Sequence, residues 1–430
     1  MVYPCTMIAQ ALGYAATRWP GEDGGPTRHQ RTTAIGSLRL SPGEHYETTD
    51  RLAIATTMVV WGSNSELFLL THGIGGTATA KVERIDPITL QTLASSPELA
   101  GGLIWPGGIA AHHNGDLYVV FGNHAHRLRR DCTVVASATL PREAPYNSFV
   151  ILDSGHLVTK DFGGRLPSGA TFSNSTQLCV LNAEDCSVVA TYEVDEGSIA
   201  RISANGQMVV VVGIDHVFVL DVDATSGAVT ERLRTPYRTL AGQGYGWDPV
   251  LVENTAWFLD NGEGSEAFDG SLLGKGLAEA PLHLVCVNLE TGAVALTEVA
   301  GLPKGLIANP PVVDPTRQLV VGYDSANGVL ACFAIGEENA LTKRWSRNQA
   351  HGSHLLLLGD VGELVTFDFQ PGGVDEMVLL DIETGEELGR TTTGSPVQSV
   401  LFPTPGTQRD FYYCSLSTVS RIAVVERNAS

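Results

Sequence analysis

The sequence predicts an all-β fold, a single β-propeller of eight blades, with seven as the alternative. Equivalent tight-turn positions recur at Asp86, Asp131, Asn182, Asp221, Asn288, about Ala334 and Asp381, spaced by 45, 51, 39, 67, 46 and 47 residues. A period of 40 to 50 residues built from short strands is the pattern of propeller blades. The strands between the turns are short apolar runs without helical periodicity, and 47 glycines supply the reversals.

The clearest unit is Leu364 to Arg390: strands at 364–369 and 376–382 flank a Gly/Pro loop, then Asp-Ile-Glu-Thr-Gly turns the chain into an outer strand. An Asp or Asn at the head of such a turn bonds its own backbone two residues on, and Gly takes the left-handed position. Second strands of successive blades are predicted at 67–71, 117–122, 157–161, 208–213, 256–260, 319–323 and 364–368, their near-continuous Val, Leu and Phe marking burial on both faces. An eighth unit has only three strands, 397–402, 410–416 and 420–426. Ala34–Leu40 is expected to supply the fourth and close the ring, which would remove an open sheet edge. The predicted organisation is thus an N-terminal extension, 1–33, with a short helix, and a propeller, 34–430, whose fifth blade carries an insertion at 261–281, long enough to arch over the rim as a lid.

The formal net charge of −20 excludes a nucleic-acid or anionic-membrane surface, which needs clustered Lys and Arg. No run of 18 apolar residues marks a membrane span. The N-terminal stretch lacks a basic segment before its apolar part and does not read as a secretory signal. Seven dispersed cysteines suit a reducing compartment, so a cytoplasmic location is expected. Cys179 and Cys186 are the one pair that a hairpin at Ala183–Glu184 would oppose, as packed thiols or as a cross-strand disulfide.

In this architecture the loops after each second strand share a rim with the loops leading into each blade, and loops on a rigid scaffold are where sites are built. The rim therefore gathers His72, His124, Asp161, Asp260, Asp324 and Asp368 from the first set and Trp105, Tyr146, Trp247, Asp248, Asn309 and His354 from the second. His72, His124, His354, Asp161 and Asp260 are the candidate catalytic groups. Trp105, Tyr146, Trp247, Asp248, Asn309, Asp324 and Asp368 are candidate ligand-binding residues. His72, His124 and His354 with Asp161 are candidate ligands for one divalent metal ion, although no fixed local spacing such as HxxxH supports the set. Each Asp also has a purely structural reading as a turn cap. No GxSxG, P-loop or HExxH pattern is present.

The turns DIETGEE and NLETGAV, with apolar strands before them, resemble blades of the quinoprotein-like propeller superfamily, over most of the chain after Met58. That resemblance implies the propeller fold. Its quinone-binding enzymes commonly carry vicinal cysteines and a tryptophan docking motif. This sequence has neither, which argues against pyrroloquinoline quinone as cofactor. Two functions remain: an enzyme of lyase or hydrolase type acting on a small polar substrate at the channel mouth, metal-assisted or not, and a non-catalytic platform for a protein or ligand partner.

Overall fold

The computed structural model describes residues 11–33, 35–73, 78–102, 107–162, 175–265, 268–370 and 372–427, and not the side chain of Asn147. Eight antiparallel sheets succeed one another along the chain, each built on four strands that run from the channel outwards. The blades' first strands begin at Thr56, Gly108, Tyr146, Ser203, Val250, Val312, Leu356 and Pro403. Among the described residues helix is confined to single 3₁₀ turns at Glu22–Gly24 and Glu337–Asn339 and to 3₁₀ backbone at Ser265, and no helix is long and apolar enough to cross a membrane.

The second strands fall where the apolar runs place them: Leu157–Asp161 coincides with the expectation, and Leu67–His72, Leu117–Phe121 and Met208–Val212 differ by one residue. Their side chains are buried on both faces because each sheet packs between two neighbours. The outer strands instead alternate. Leu341–Asn348 exposes Thr342, Arg344, Ser346 and Asn348 and half-buries Trp345 and Arg347, which suits an edge facing water.

The turns obey the predicted chemistry. Asp86, Asp131, Asn182, Asn288 and Asp381 each accept backbone N–H groups two or three residues on, and Gly292 and Gly385 close two of these turns at φ 74° and 72°. In blade four the capping residue is Asp223 rather than Asp221. In blade six the 3₁₀ turn at Glu337–Asn339 takes the place of the turn expected at Ala334.

An N-terminal strand closes the ring, but it is Glu44–Leu52, paired antiparallel along its length with Thr418–Glu426, rather than Ala34–Leu40. An outermost strand is half solvated, so the polar EHYETTDRL suits it better than the apolar AIGSLRL. Residues 35–40 cross instead to Glu363, whose carboxylate accepts the Leu38 N–H. Cys179 lies opposite Thr191, and Cys186 sits in the hairpin turn at φ 62°, so the two are not opposed. Both are unbonded and buried, as are the other described cysteines.

The described residues of the leading segment, 12–33 and Ile35, form a strap around the lower mouth of the channel, where the first and second strands of each blade turn. It meets every blade. Leu12 N–H bonds Asp153 of blade three, and the Trp19 and Pro20 carbonyls accept from Trp61 and Ala111 of blades one and two. Pro26 and Thr27 carbonyls accept from Ala204 and Leu251 of blades four and five. Gln30 bonds Pro311 and Leu355 of blades six and seven, Arg31–Thr32 pairs parallel with Leu357–Leu358, and the Ile35 carbonyl accepts from Arg409 of blade eight. No helix forms in the described part of this extension beyond the turn at Glu22–Gly24.

Candidate functional site

Between Pro20, held at blade two, and Pro26, held at blade four, the strap carries Glu22 and Asp23 into the channel; Arg28 follows from its next turn. From the other side the loops leading into blades four, five and seven bring Arg201, Asp248 and His354. All six are buried. Arg28 donates through Nη2 to Glu22 Oε2 and Ser148 Oγ, both at 2.6 Å, and through Nε to the Ile202 carbonyl at 2.9 Å. Its Nη1 lies 3.5 Å from Asp23 Oδ2. Arg201 spans Glu22 Oε1, 3.1 Å from Nη1, and Asp248, which accepts the Arg201 backbone N–H at 2.6 Å. His354 Nδ1 lies 2.9 Å from Asp23 Oδ1. Phe402 of blade eight backs the group: the His354 ring stacks on it at 3.9 Å, and the Arg201 guanidinium sits over it at 5.0 Å. Gly108 leaves the space that Glu22 fills, since a Cβ there would collide with Glu22 Oε1.

Burial and charge oppose each other in this cluster. Burial raises the Asp248 carboxyl above its usual range, with Arg28 and Arg201 pulling it back. At Asp23 burial acts the same way, but His354, Arg28 and Arg201 outweigh it and the pKa is lowered. Beside the cluster, Lys160 is fully buried, and among the described residues its ammonium finds only the Ser198 and Asp161 carbonyls, at 2.8 and 3.3 Å. Burial takes it down to about 7, against the pull of Asp161 and Asp248.

Only His354 and Asp248, of the residues singled out from the sequence, join this cluster. His72 stacks on Phe121 at 5.1 Å with Nδ1 2.9 Å from the Gly73 carbonyl, and burial lowers its pKa. His124 Nδ1 lies 2.6 Å from the Gly101 carbonyl, in the outer half of blade two. Asp161 pairs with Arg142 at 2.8 Å and accepts the Gln177 N–H. The four expected metal ligands thus occupy separate partnerships, and among the described residues no three His, Cys, Asp or Glu side chains are grouped to hold a metal.

The remaining acids share one structural job at the ends of second strands. Asp260 holds His283 and Gln243, Asp324 holds Asn327 and Leu306, and Asp368 holds Ala350 and Arg390. Burial raises Asp260 and Asp324 despite these bonds. Tyr146 and Trp247 are core side chains, and Asn309 ties Gly352 to Val400 through its amide. Trp105 lies outside the described residues.

Sequence reasoning missed Glu22, Asp23, Arg28, Arg201 and Lys160. The signal for the first three was GEDGGPTRHQR, charges set among glycines in a stretch that reads as loose. For Lys160 it was a lysine inside the buried run Leu157–Asp161.

The insertion after Asp260 covers the upper mouth from blade five to blade eight. Leu272 packs with Leu306 and Ala326 of blade six and against Val400 of blade eight. Gln398 of blade eight receives the Leu272 N–H on its amide oxygen at 2.6 Å and donates its backbone N–H to Gly270.

No family model matches the chain, and no curated protein matches it in sequence. The fold is shared with solved structures. Quinohemoprotein alcohol dehydrogenase from Comamonas testosteroni superposes with a TM-score of 0.61 at 11% identity, over 96% of this chain and 82% of that one. The corresponding enzyme ADHIIG from Pseudomonas putida HK5 gives 0.60 at 9%, over 95% and 80%. The WD40 repeats of RRP9 give 0.51 at 12%, over 91% and 99%. The blade-level resemblance to quinoprotein propellers therefore holds at the level of fold. Identities this low carry the architecture and nothing of the chemistry.

Proposed function

We propose that the chain is an enzyme of lyase or hydrolase type that acts on a small polar molecule at the upper end of the channel, beneath the 261–281 insertion. The supporting observation is the axial cluster with Lys160 at its edge. Buried charges are weak contributors to stability, and groups whose protonation is shifted by burial and by specific charged partners concentrate at working sites. Lys160, with a pKa of about 7, is matched to neutral pH as a proton acceptor. Asp248, with its pKa raised, is suited to hold a proton, the Asp23–His354 pair orients an imidazole, and Arg201 offers a cation for developing negative charge. In this reading the insertion over the upper mouth is the lid that admits substrate, since the six cluster side chains are closed to solvent. That same closure favours the second reading, a non-catalytic platform in which the cluster only locks the strap to the ring.

Metal assistance, left open by the sequence, loses its donor set with the separation of His72 and His124 from His354. A cytoplasmic location belongs to the proposal and is supported by the buried, unbonded cysteines.

The test is a substrate screen of lyase and hydrolase reactions on small polar molecules, run on the wild type, His354→Gln and Lys160→Met, with elemental analysis of protein prepared without chelator. Turnover lost in both variants, with folded protein retained, supports the enzyme. Equal turnover in all three, or none with any substrate, sends the assignment to the platform. Metal present at about one per chain and lost in a His72→Ala/His124→Ala variant would restore the metal-assisted form.

A further inference from the structure

A cavity of about 710 Å³ opens on the lower face, opposite the mouth discussed above. Its walls are the strap and the first-to-second-strand turns of blades one, three, four and eight, at Ser63, Ser65, Asp153, Asn205, Gly206 and Thr407. Cavities of this size accommodate metabolite-sized ligands. The strap contributes its cationic and donor groups, Arg18, His29 and Arg31.

The two arginines are unlike most others in the chain. Across a molecule with net charge −20, arginines such as Arg51, Arg84, Arg130, Arg234, Arg390 and Arg409 are held by carboxylates. Among the described residues Arg18 has only the Gly406 carbonyl, at 2.8 Å, and the face of Trp61. Arg31, only 6% exposed, has Thr316 Oγ1 at 2.9 Å, and its Nε–H has no acceptor among the described residues. That donor has no accessible surface and lies against Gly359, so it takes no part in the cavity. His29 accepts the Arg31 N–H on Nδ1 at 3.0 Å, so its neutral ring carries the proton on Nε2 as a further donor. Its ring stands edge-on to Trp19. The acid in the wall, Asp153, is engaged by the Leu12 N–H.

We infer that this cavity binds a small organic anion, a carboxylate or a phosphate monoester, with Arg18 and Arg31 holding the anionic group and the wall hydroxyls and Asp153 its neutral or hydroxylated part. Guanidinium groups are suited to such planar, multi-donor recognition. This site is independent of the channel cluster and of the enzyme reading.

The experiment is calorimetric titration of the full chain with inorganic phosphate and, separately, with succinate, against sodium chloride at matched ionic strength. Arg18→Gln is the main variant, because Arg18 is partly exposed and lies outside the sheet pairing. Arg31→Gln is run alongside, with circular dichroism to confirm its fold. The expected result is a Kd below about 1 mM for at least one anion, weakened about tenfold or more in Arg18→Gln, together with a shift of the His29 ring proton resonances on binding. Phosphate alone would identify a phosphate monoester as the class, succinate alone a carboxylate. The inference is overturned if neither anion binds below about 10 mM, or if Arg18→Gln binds both as tightly as the wild type.

Discussion

Replacing Lys160 by Met tests whether a fully buried amine stands beside the channel. In the unfolded chain the ammonium has a pKa near 10.5; in the fold, burial brings it to about 7. The sign follows from the direction: a lysine whose folded pKa is depressed favours the fold most above the unfolded value, and stability is lost as pH falls from there toward the folded value. At roughly 1.36 kcal/mol per pH unit, the penalty grows by about 3.5 kcal/mol between pH 10 and pH 7 and is flat below about pH 6. Met fills a similar volume without charge, but leaves the Ser198 carbonyl without its donor, a loss of about 1–3 kcal/mol that does not vary with pH. The assay is urea unfolding of both proteins from pH 6 to pH 10. The wild type is expected to lose about 3.5 kcal/mol relative to Lys160→Met on going from pH 10 to pH 7. Parallel profiles within about 1 kcal/mol would refute the placement of a fully buried amine there.

Three further outcomes follow from the same geometry. Asp23→Asn strips His354 and Arg28 of a buried partner and is expected to cost about 3 kcal/mol in urea unfolding at pH 7. Because the Asp23 pKa is lowered in the fold, its contribution is present above the unfolded value of 3.8 and lost as pH falls below it, so the variant should lose less between pH 5 and pH 3 than the wild type. Gly108→Ala pushes a methyl group into Glu22 and should cost roughly 1–3 kcal/mol; an unchanged midpoint would mean that Glu22 does not occupy the channel. Gln398→Ala removes the acceptor of the Leu272 N–H, and limited proteolysis should then cut within residues 268–276 several times faster, with identical cleavage rates speaking against the insertion being pinned at blade eight.

The ring was legible because its inner strands are buried on both faces, and a run such as Leu157–Asp161 or Leu364–Phe369 then carries its assignment in composition alone. Eight blades and closure by an N-terminal strand followed from the repeat. The identity of the closing strand did not, because a solvated outer strand has no apolar signature and the polar Glu44–Leu52 carries none. At the rim, Asp161, Asp260, Asp324 and Asp368 recur at matched positions because each ends a second strand and ties its neighbouring loop, so recurrence there marks construction rather than chemistry. His354 and Asp248 were found because they stand in loops that lead into blades. Their partners were hidden because the strap is held by hydrogen bonds to residues hundreds of positions away, and such contacts leave no periodicity in a Gly/Pro-rich stretch.

The strap also constrains the order in which the molecule can be assembled. Residues 12–35 precede every blade in the chain, yet their partners are distributed to Arg409, and the strand at Glu44–Leu52 waits for Thr418–Glu426. Hairpins within a blade are local and form early, whereas docking of the strap spans the longest sequence separations in the fold and belongs to its slow steps. Until Arg201, Asp248 and His354 are in place, Glu22, Asp23 and Arg28 are a knot of charge that resists being drawn into a half-built core. Charges that add little to the finished structure would thus act during synthesis as a guard, keeping the leading segment hydrated until the last blade arrives to receive it.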